Sequence, residues 1–148
     1  MLFRSSVPLP QAAKELIALS KLKHVGMAEA AQKMPADLSG GMQKRGAIAR
    51  AMALDPRVLF LDELSAGLDP VTSAELDELV LRLSRSLKIT FVVVTHELPS
   101  IFAIADRIIM LDKQVKGIVA MGHPEELRDH NENPRVRQFF SRKPAPDI

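Results

Sequence analysis

Apolar and polar positions along this 148-residue chain alternate between helical and strand spacing. Over 11–23, Ala12, Leu16, Leu19 and Lys23 fall near helical spacing. Ala13, Ile17 and Leu22 widen the stripe, so the segment predicts an amphipathic helix. Gly26 punctuates, and a short helix over 27–33 is expected to end at Pro35. A third helix should open near Ser39 and run to about Leu54, where Asp55-Pro56 stops it. Residues 58–61 are a short, continuous apolar run closed by Asp62-Glu63, which predicts a buried parallel strand. Asp69 suits an N-cap and Pro70 a first helical position. The helix after them carries Leu76, Leu79, Leu83 and Leu87 on one face, with Glu78 and Arg82 at i,i+4 outside it. Residues 89–95 are β-branched and apolar and predict a second buried strand. A helix over 99–105, strands at 107–112 and 117–121, and a short helix opening at Pro124 complete the series. This rhythm predicts an α/β fold with parallel strands. Pro8 and Pro10 make the start loop-like, and 143–148, with two prolines, reads as a frayed tail.

Composition changes this picture little. Hydrophobic residues make up 47% and charged residues 26%, which is ordinary for a globular chain and enough for one domain. A formal charge of +2 is too mild to imply nucleic-acid binding, so no nucleic-acid partner is expected. Cysteine is absent, which rules out disulfides and thiolate metal sites and fits a reducing compartment. No apolar run approaches the ~20 residues that cross a bilayer. The first ten residues lack the apolar core of a signal peptide. A cytoplasmic chain tied to a membrane only through a partner is the expectation.

Three short segments carry candidate chemistry. Carboxylates at the C-terminal end of an apolar strand are costly to hide, and ligands of open α/β sheets bind at that end. Asp62 is therefore a candidate to orient Mg²⁺ and its water ligands, and Glu63 to polarise an attacking water. A strand simply running into a polar loop explains the pair equally well. In Leu38-Ser39-Gly40-Gly41-Met42, two glycines allow close approach of a ligand. The following helix start offers free amides, and Ser39 a hydroxyl donor, to a phosphate. A flexible turn with a serine N-cap is the plainer reading of the same five residues. Thr95-His96-Glu97 ends the second strand, where His96 could hold water and phosphate near Glu63 if the two strands are neighbours.

Taken together and in order, LSGGM, VLFLDE, SAGLDP and THE resemble the nucleotide-binding domain of ABC ATPases. The likeness extends to Lys44-Arg45, Ala49-Arg50-Ala51, Ala105-Asp106-Arg107 and Gly122-His123-Pro124-Glu125-Glu126-Leu127, and so covers about 15–140. The resemblance implies a partial P-loop NTPase domain, with 11–55 as the helical signature region, 56–130 as the catalytic α/β core and 131–148 as a C-terminal helix and tail. It implies ATP and Mg²⁺ as cofactors, Asp62 as the Mg²⁺-associated aspartate, Glu63 as the catalytic glutamate and His96 as the switch histidine. Ser39, Gly40 and Gly41 would contact the γ-phosphate of ATP held by a second ATPase subunit, and Asp69 of the D-loop would lie across that dimer interface. Met42 in the signature, and Asn133-Pro134-Arg135-Val136-Arg137-Gln138-Phe139-Phe140 near the end, resemble the ATPases of Mla/Mce-type phospholipid transporters, which maintain outer-membrane lipid asymmetry. That narrower likeness implies transmembrane permease subunits, a lipid-binding Mce-type partner and a peripheral place on the inner face of the inner membrane. A short amphipathic helix with exposed arginines accounts for the closing segment without it.

The sequence also departs from the family. No G-x-x-x-x-G-K-[ST] loop occurs in it; Gly41 to Gly46 imitates the spacing, but Ala47 stands where lysine is needed. Only 37 residues precede Leu38, and no Tyr or Trp offers an adenine platform. Met1-Leu2-Phe3-Arg4 resembles the approach to the family's Q-loop, with Arg4 in place of glutamine and too short a segment after it. Leu64 stands where many relatives have proline, which would loosen the turn after Glu63. The resemblance therefore predicts the C-terminal portion of a domain, unable to cradle a β-phosphate alone, with an unpaired apolar edge at 91–94. Three functions stay open: the ATPase subunit of a lipid or other transporter, a non-catalytic module that supplies a signature to a full-length ATPase, and an ABC ATPase outside transport. The last lacks the coiled-coil insertion or basic arm it would need.

Overall fold

The computed structural model describes residues 9–142, so the loop-like start at Pro8, the Q-loop likeness at 1–4 and the tail at 143–148 lie outside the described residues. The chain is mixed α/β and divides into two compact units, Met1–Thr95 and His96–Ile148.

The first unit opens with α1, Gln11–His24. None of its residues is fully buried. The stripe through Ala12 and Leu16 faces solvent, with Leu16 69% exposed, whereas Ala13, Ile17 and Leu22 are half-buried. The shoulder of the predicted stripe is thus its inward face. The expected helix over 27–33 is only a 3-10 turn at Ala28–Ala30, and Pro35 begins a second one, Pro35–Asp37, rather than ending a helix. Helix α2 spans Gly40–Ala51 and tightens into a 3-10 turn, Met52–Leu54, ended by Asp55 in the left-handed region. Asp55 also forms an ion pair with Lys21 of α1.

Strand β1, Val58–Asp62, and strand β2, Thr90–Val94, pair in parallel with Leu59 opposite Phe91 and Asp62 opposite Val94. Helix α3, Pro70–Leu87, connects them. Leu76, Leu79, Val80 and Leu83 of α3 are buried, and α3 contacts both α2 and β2. Leu87, placed on the same face by its spacing, is the last helical residue and is exposed. The two strands were expected to be buried throughout, and that expectation fails. Leu59 and Leu61 face the core, but Val58, Phe60, Val92 and Val94 are exposed, Phe60 by 75%. Among the described residues this sheet has two strands, so its second face carries no layer within the first unit. Among the described residues, β2 pairs only with β1, so no second strand lies along 91–94.

The second unit holds α4, Leu98–Ile104; β3, Ile108–Asp112; β4, Gly117–Gly122; α5, Pro124–His130; and α6, Pro134–Ser141. The third strand was expected to continue a parallel series. Instead β3 pairs antiparallel with β4 in a sheet of their own. The connection at 113–116 explains it, because a parallel crossover needs about a dozen residues and a hairpin needs only a few. Ala120, Leu127, Val136 and Phe140 form this unit's core, with Ile108, Met110 and Val119 packed against it. The other face of the hairpin leaves Ile109, Leu111, Ile118 and Met121 exposed. Asp112 closes the turn by accepting from the amides of Gln114, at 2.8 Å, and Val115, at 2.9 Å. Arg135 of α6 clamps that turn, donating to Asp112 Oδ1 at 2.5 Å and to Gln114 Oε1 at 2.6 Å. One of the expected exposed arginines is therefore a structural clip.

Candidate functional site

Asp62 is the last residue of β1 and is exposed, on the uncovered face of the strand pair. Glu63 follows with φ +46°, in the left-handed region that a residue bearing a Cβ enters at a cost of about 1–2 kcal/mol. Backbone hydrogen bonds hold it there. Its N–H donates to the carbonyl of Val94 at 2.9 Å, and its own carbonyl accepts from the amide of Ala66 at 3.1 Å. The same carbonyl accepts from Lys44 Nζ of α2, also at 3.1 Å. One carboxylate oxygen of Glu63, Oε2, is shielded from solvent. Leu64, the residue after Glu63, is buried.

The segment Leu38-Ser39-Gly40-Gly41-Met42 is a helix start. Ser39 caps α2, its Oγ accepting from the amide of Met42 at 3.3 Å, which leaves the hydroxyl proton for another acceptor. Gly40 and Gly41 are the first two helical residues, and Gly41 is buried. A Cβ added at Gly41 would lie 2.7 Å from Thr72 Cγ2, and one at Gly40 would lie 3.1 Å from Leu68 Cδ2. The glycines thus answer first to an intramolecular need, close passage of α2 over the start of α3. Asp69 caps α3, accepting from the amides of Val71 and Thr72 at 3.0 Å each and from the Thr72 hydroxyl at 2.5 Å. The Thr72 hydroxyl, followed by its amide, holds the Asp69 carboxyl below the usual carboxylate range. Arg45 of α2 reaches Glu75 of α3 at 2.9 Å and the carbonyl of Val25 at 3.4 Å. Lys33, Ser39, Gly41, Arg45, Thr72 and Glu75 are among the residues that line a cavity of about 490 Å³.

The first unit therefore brings together the signature-like helix start, the turn after β1 and the cap of α3. His96 opens the second unit, exposed, with Nε2 3.8 Å from the carboxylate of Glu97. Lys44 enters the sequence reading only through the wider likeness, and Thr72 and Glu75 carry no motif signal there. The available signal was spacing: Gly41, Lys44, Arg45 and Ile48 recur at helical intervals and mark the face of α2 turned toward α3 and the Glu63 turn.

The family model for ABC transporters matches residues 9–66. The intermembrane phospholipid transport system ATP-binding protein MlaF of Escherichia coli (strain K12) is 42% identical over 138 residues, which are 93% of this chain and 50% of that protein. The chain belongs to the ABC transporter ATPase family. The segments LSGGM and VLFLDE both lie within the residues that the family model matches. Methionine import ATP-binding protein MetN 1 of Pseudomonas savastanoi pv. phaseolicola (strain 1448A / Race 6) is 40% identical over 118 residues, 80% of this chain and 35% of that protein. Among solved structures, cbiO1 from Clostridium perfringens, part of the ABC transporter complex cbiONQ, superposes with a TM-score of 0.76 at 28% identity, covering 90% of this chain and 52% of that one. A putative metal-chelate type ABC transporter has the same fold, with a TM-score of 0.79 at 24% identity, covering 95% of this chain and 54% of that one. The described architecture is part of a P-loop NTPase domain of the ABC type. The chain spans about half the length of the phospholipid-transport relative. Among the described residues, no helix is long and apolar enough to cross a membrane.

Proposed function

We propose that this chain supplies the hydrolytic and signature elements of an ATP-hydrolysing subunit of a phospholipid transporter. The observation that carries the hydrolytic reading is Glu63. Its left-handed backbone is pinned at the C-terminal end of a parallel strand pair, directly after the exposed Asp62. A carboxylate held in one direction, with one oxygen shielded, suits the orientation of an attacking water. His96, the first residue of the second unit, is proposed as the switch histidine that contacts a γ-phosphate. Ser39, Gly40 and Gly41 are proposed to contact the γ-phosphate of ATP bound by a second subunit, and Asp69 to lie at the interface with it.

Asp62 fits Mg²⁺ as a single carboxylate. No cluster of three or more His, Asp or Glu side chains is gathered among the described residues. Asp62 would therefore hold the ion together with water and the nucleotide's phosphates, the usual manner for Mg²⁺. When bound, the ion supplies neutralisation of charge on the β- and γ-oxygens. Residues 1–148 contain no phosphate-binding loop, so the nucleotide's β-phosphate must be cradled by other residues.

Phospholipid as the cargo is supported by the 42% identity to the MlaF protein over nearly the whole chain. An importer ATPase for a small solute is the second reading, supported by the match to the methionine-import protein. The test uses an assembly in which this chain hydrolyses ATP together with permease subunits in vesicles. Glu63→Gln is expected to lower kcat by roughly 10²–10⁴ while nucleotide affinity survives. Turnover within about twofold of the parent removes Glu63 from the role. Stimulation by phospholipid, but not by methionine, is expected; the reverse would favour the importer.

A further inference from the structure

Helix α2 does more than present the signature. It meets the segment from the end of β1 into α3 at three points: Lys44 on the carbonyl of Glu63 in the connection, and Gly41 against Thr72 and Arg45 on the carboxylate of Glu75 in the first turns of α3. The first contact has the plainest chemical consequence. Lys44 is half-buried, and its ammonium donates to the backbone of the one site residue whose φ lies in the left-handed region. That carbonyl already accepts from the amide of Ala66, so Lys44 fills its second lone pair. A charged donor makes the stronger kind of hydrogen bond. It acts where the backbone would otherwise relax to a conformation without the steric penalty of a Cβ at positive φ. The direction in which the Glu63 Cα–Cβ bond leaves the chain is set by that backbone angle.

We infer that Lys44, from the signature helix, is a positioning residue for Glu63. It fixes the left-handed turn and so aims the carboxylate from within the same chain. The inference deepens the proposed hydrolytic reading and rests on it for its catalytic consequence. The turn itself is testable without any activity.

The test is residue-resolved amide hydrogen exchange on the 148-residue chain, comparing the parent with Lys44→Met, which keeps an apolar stem and removes the donor. Exchange at Ala66, whose amide closes the turn onto the Glu63 carbonyl, and at Glu63, whose amide ties the turn to Val94, is expected to rise about tenfold, the order that a hydrogen bond to a charged group contributes. Exchange at Leu79 and Leu83 in α3 should not change. Lys44→Arg should restore slow exchange at Ala66. So should Glu63→Gly in the Lys44→Met background, because glycine needs no help at positive φ. If methionine disrupts folding, Lys44→Gln serves in its place, too short to reach the carbonyl. Unchanged exchange at Ala66 and Glu63 would overturn the inference. A uniform rise that includes Leu79 and Leu83 would overturn it too, since Lys44 would then hold the helix layer and not the turn. In an ATP-hydrolysing assembly, Lys44→Met should lower kcat about tenfold with KM nearly unchanged, and Lys44→Arg should recover it. An unchanged kcat beside a large loss in Glu63→Gln would sink the catalytic half of the inference. Full turnover in Glu63→Gln would instead sink the hydrolytic reading, while the exchange data still decide the role of Lys44.

Discussion

Two adjacent glycines illustrate how a residue's meaning shifts between sequence and structure. Gly40 and Gly41 read as an invitation to a phosphate, yet Gly41 is buried and its missing Cβ is what lets Thr72 approach. The consequence is measurable. Gly41→Ala gains helix propensity of at most about 1 kcal/mol. It also drives a methyl group to 2.7 Å from Thr72 Cγ2. Overpacking of that kind costs about 1–3 kcal/mol, so a net loss of about 1–2 kcal/mol in urea unfolding is expected. Thr72→Ser removes the offending methyl and keeps the hydroxyl that bonds Asp69. In that background Gly41→Ala should be neutral or stabilising. An equal loss in both backgrounds would mean that the glycine is needed for another reason. Asp62 and Glu63 were legible in the sequence because carboxylates closing an apolar run are unusual. Lys44 was not, because a lysine on an amphipathic helix looks the same whether it bonds solvent or a carbonyl 19 residues away.

At the scale of elements, helices announced themselves through caps. Asp69-Pro70 marks the start of α3, and the carboxylate of this expected N-cap accepts from the amides of Val71 and Thr72. Its pKa is depressed, chiefly by the Thr72 hydroxyl and next by the Thr72 amide, so the folded chain favours the ionised form. A depressed carboxyl contributes stability that is complete above the unfolded value, about 3.9, and is lost as pH falls through the folded one. Stability is therefore expected to drop below about pH 4 with a component that Asp69→Ser abolishes. Serine keeps a cap acceptor but cannot titrate there. Identical acid limbs for the parent and Asp69→Ser would remove Asp69 from the pH response. Strands were harder to read. A continuous apolar run looks the same whether one face or both are covered, so Phe60 and Val92 passed as core. The hairpin of β3 and β4 was signalled by the shortness of its connection, a cue that the alternating rhythm of helices and strands masked.

For the molecule as a whole, the strongest consequence of the proposed function is a signature that acts in trans. Ser39 caps its own helix and keeps a proton to donate, so Ser39→Arg should block approach of a γ-phosphate without preventing nucleotide binding elsewhere. In an assembly of two subunits, mixing Ser39→Arg subunits with subunits lacking a working phosphate loop creates one composite site with both defects and one with neither. One trapped ATP per mixed dimer is expected, since closure of the partner completes the site. No trapped ATP, with both parents folded and dimeric, would assign Ser39 to its own subunit's nucleotide. The same scale gives the uncovered face of β1 and β2 its importance. Val58, Phe60, Val92 and Val94 present an exposed apolar surface beside strand edges that no described residue pairs, the combination that promotes association.

The sequence alone determined the motif order, the helix starts at Ser39 and Asp69, and the carboxylates at the end of β1. Each depends on local chemistry: a short polar side chain capping amides, a proline with fixed φ, or a charge closing an apolar run. The tertiary structure decided which face of α1 turns inward and that the sheet is covered on one face. It also decided that β3 pairs with β4, and that Gly41, Lys44 and Arg45 tie the signature helix to the turn of Glu63 and the cap of α3. Those outcomes join residues far apart in the chain. Periodicity reports only that a side chain has a face, and packing selects what that face meets.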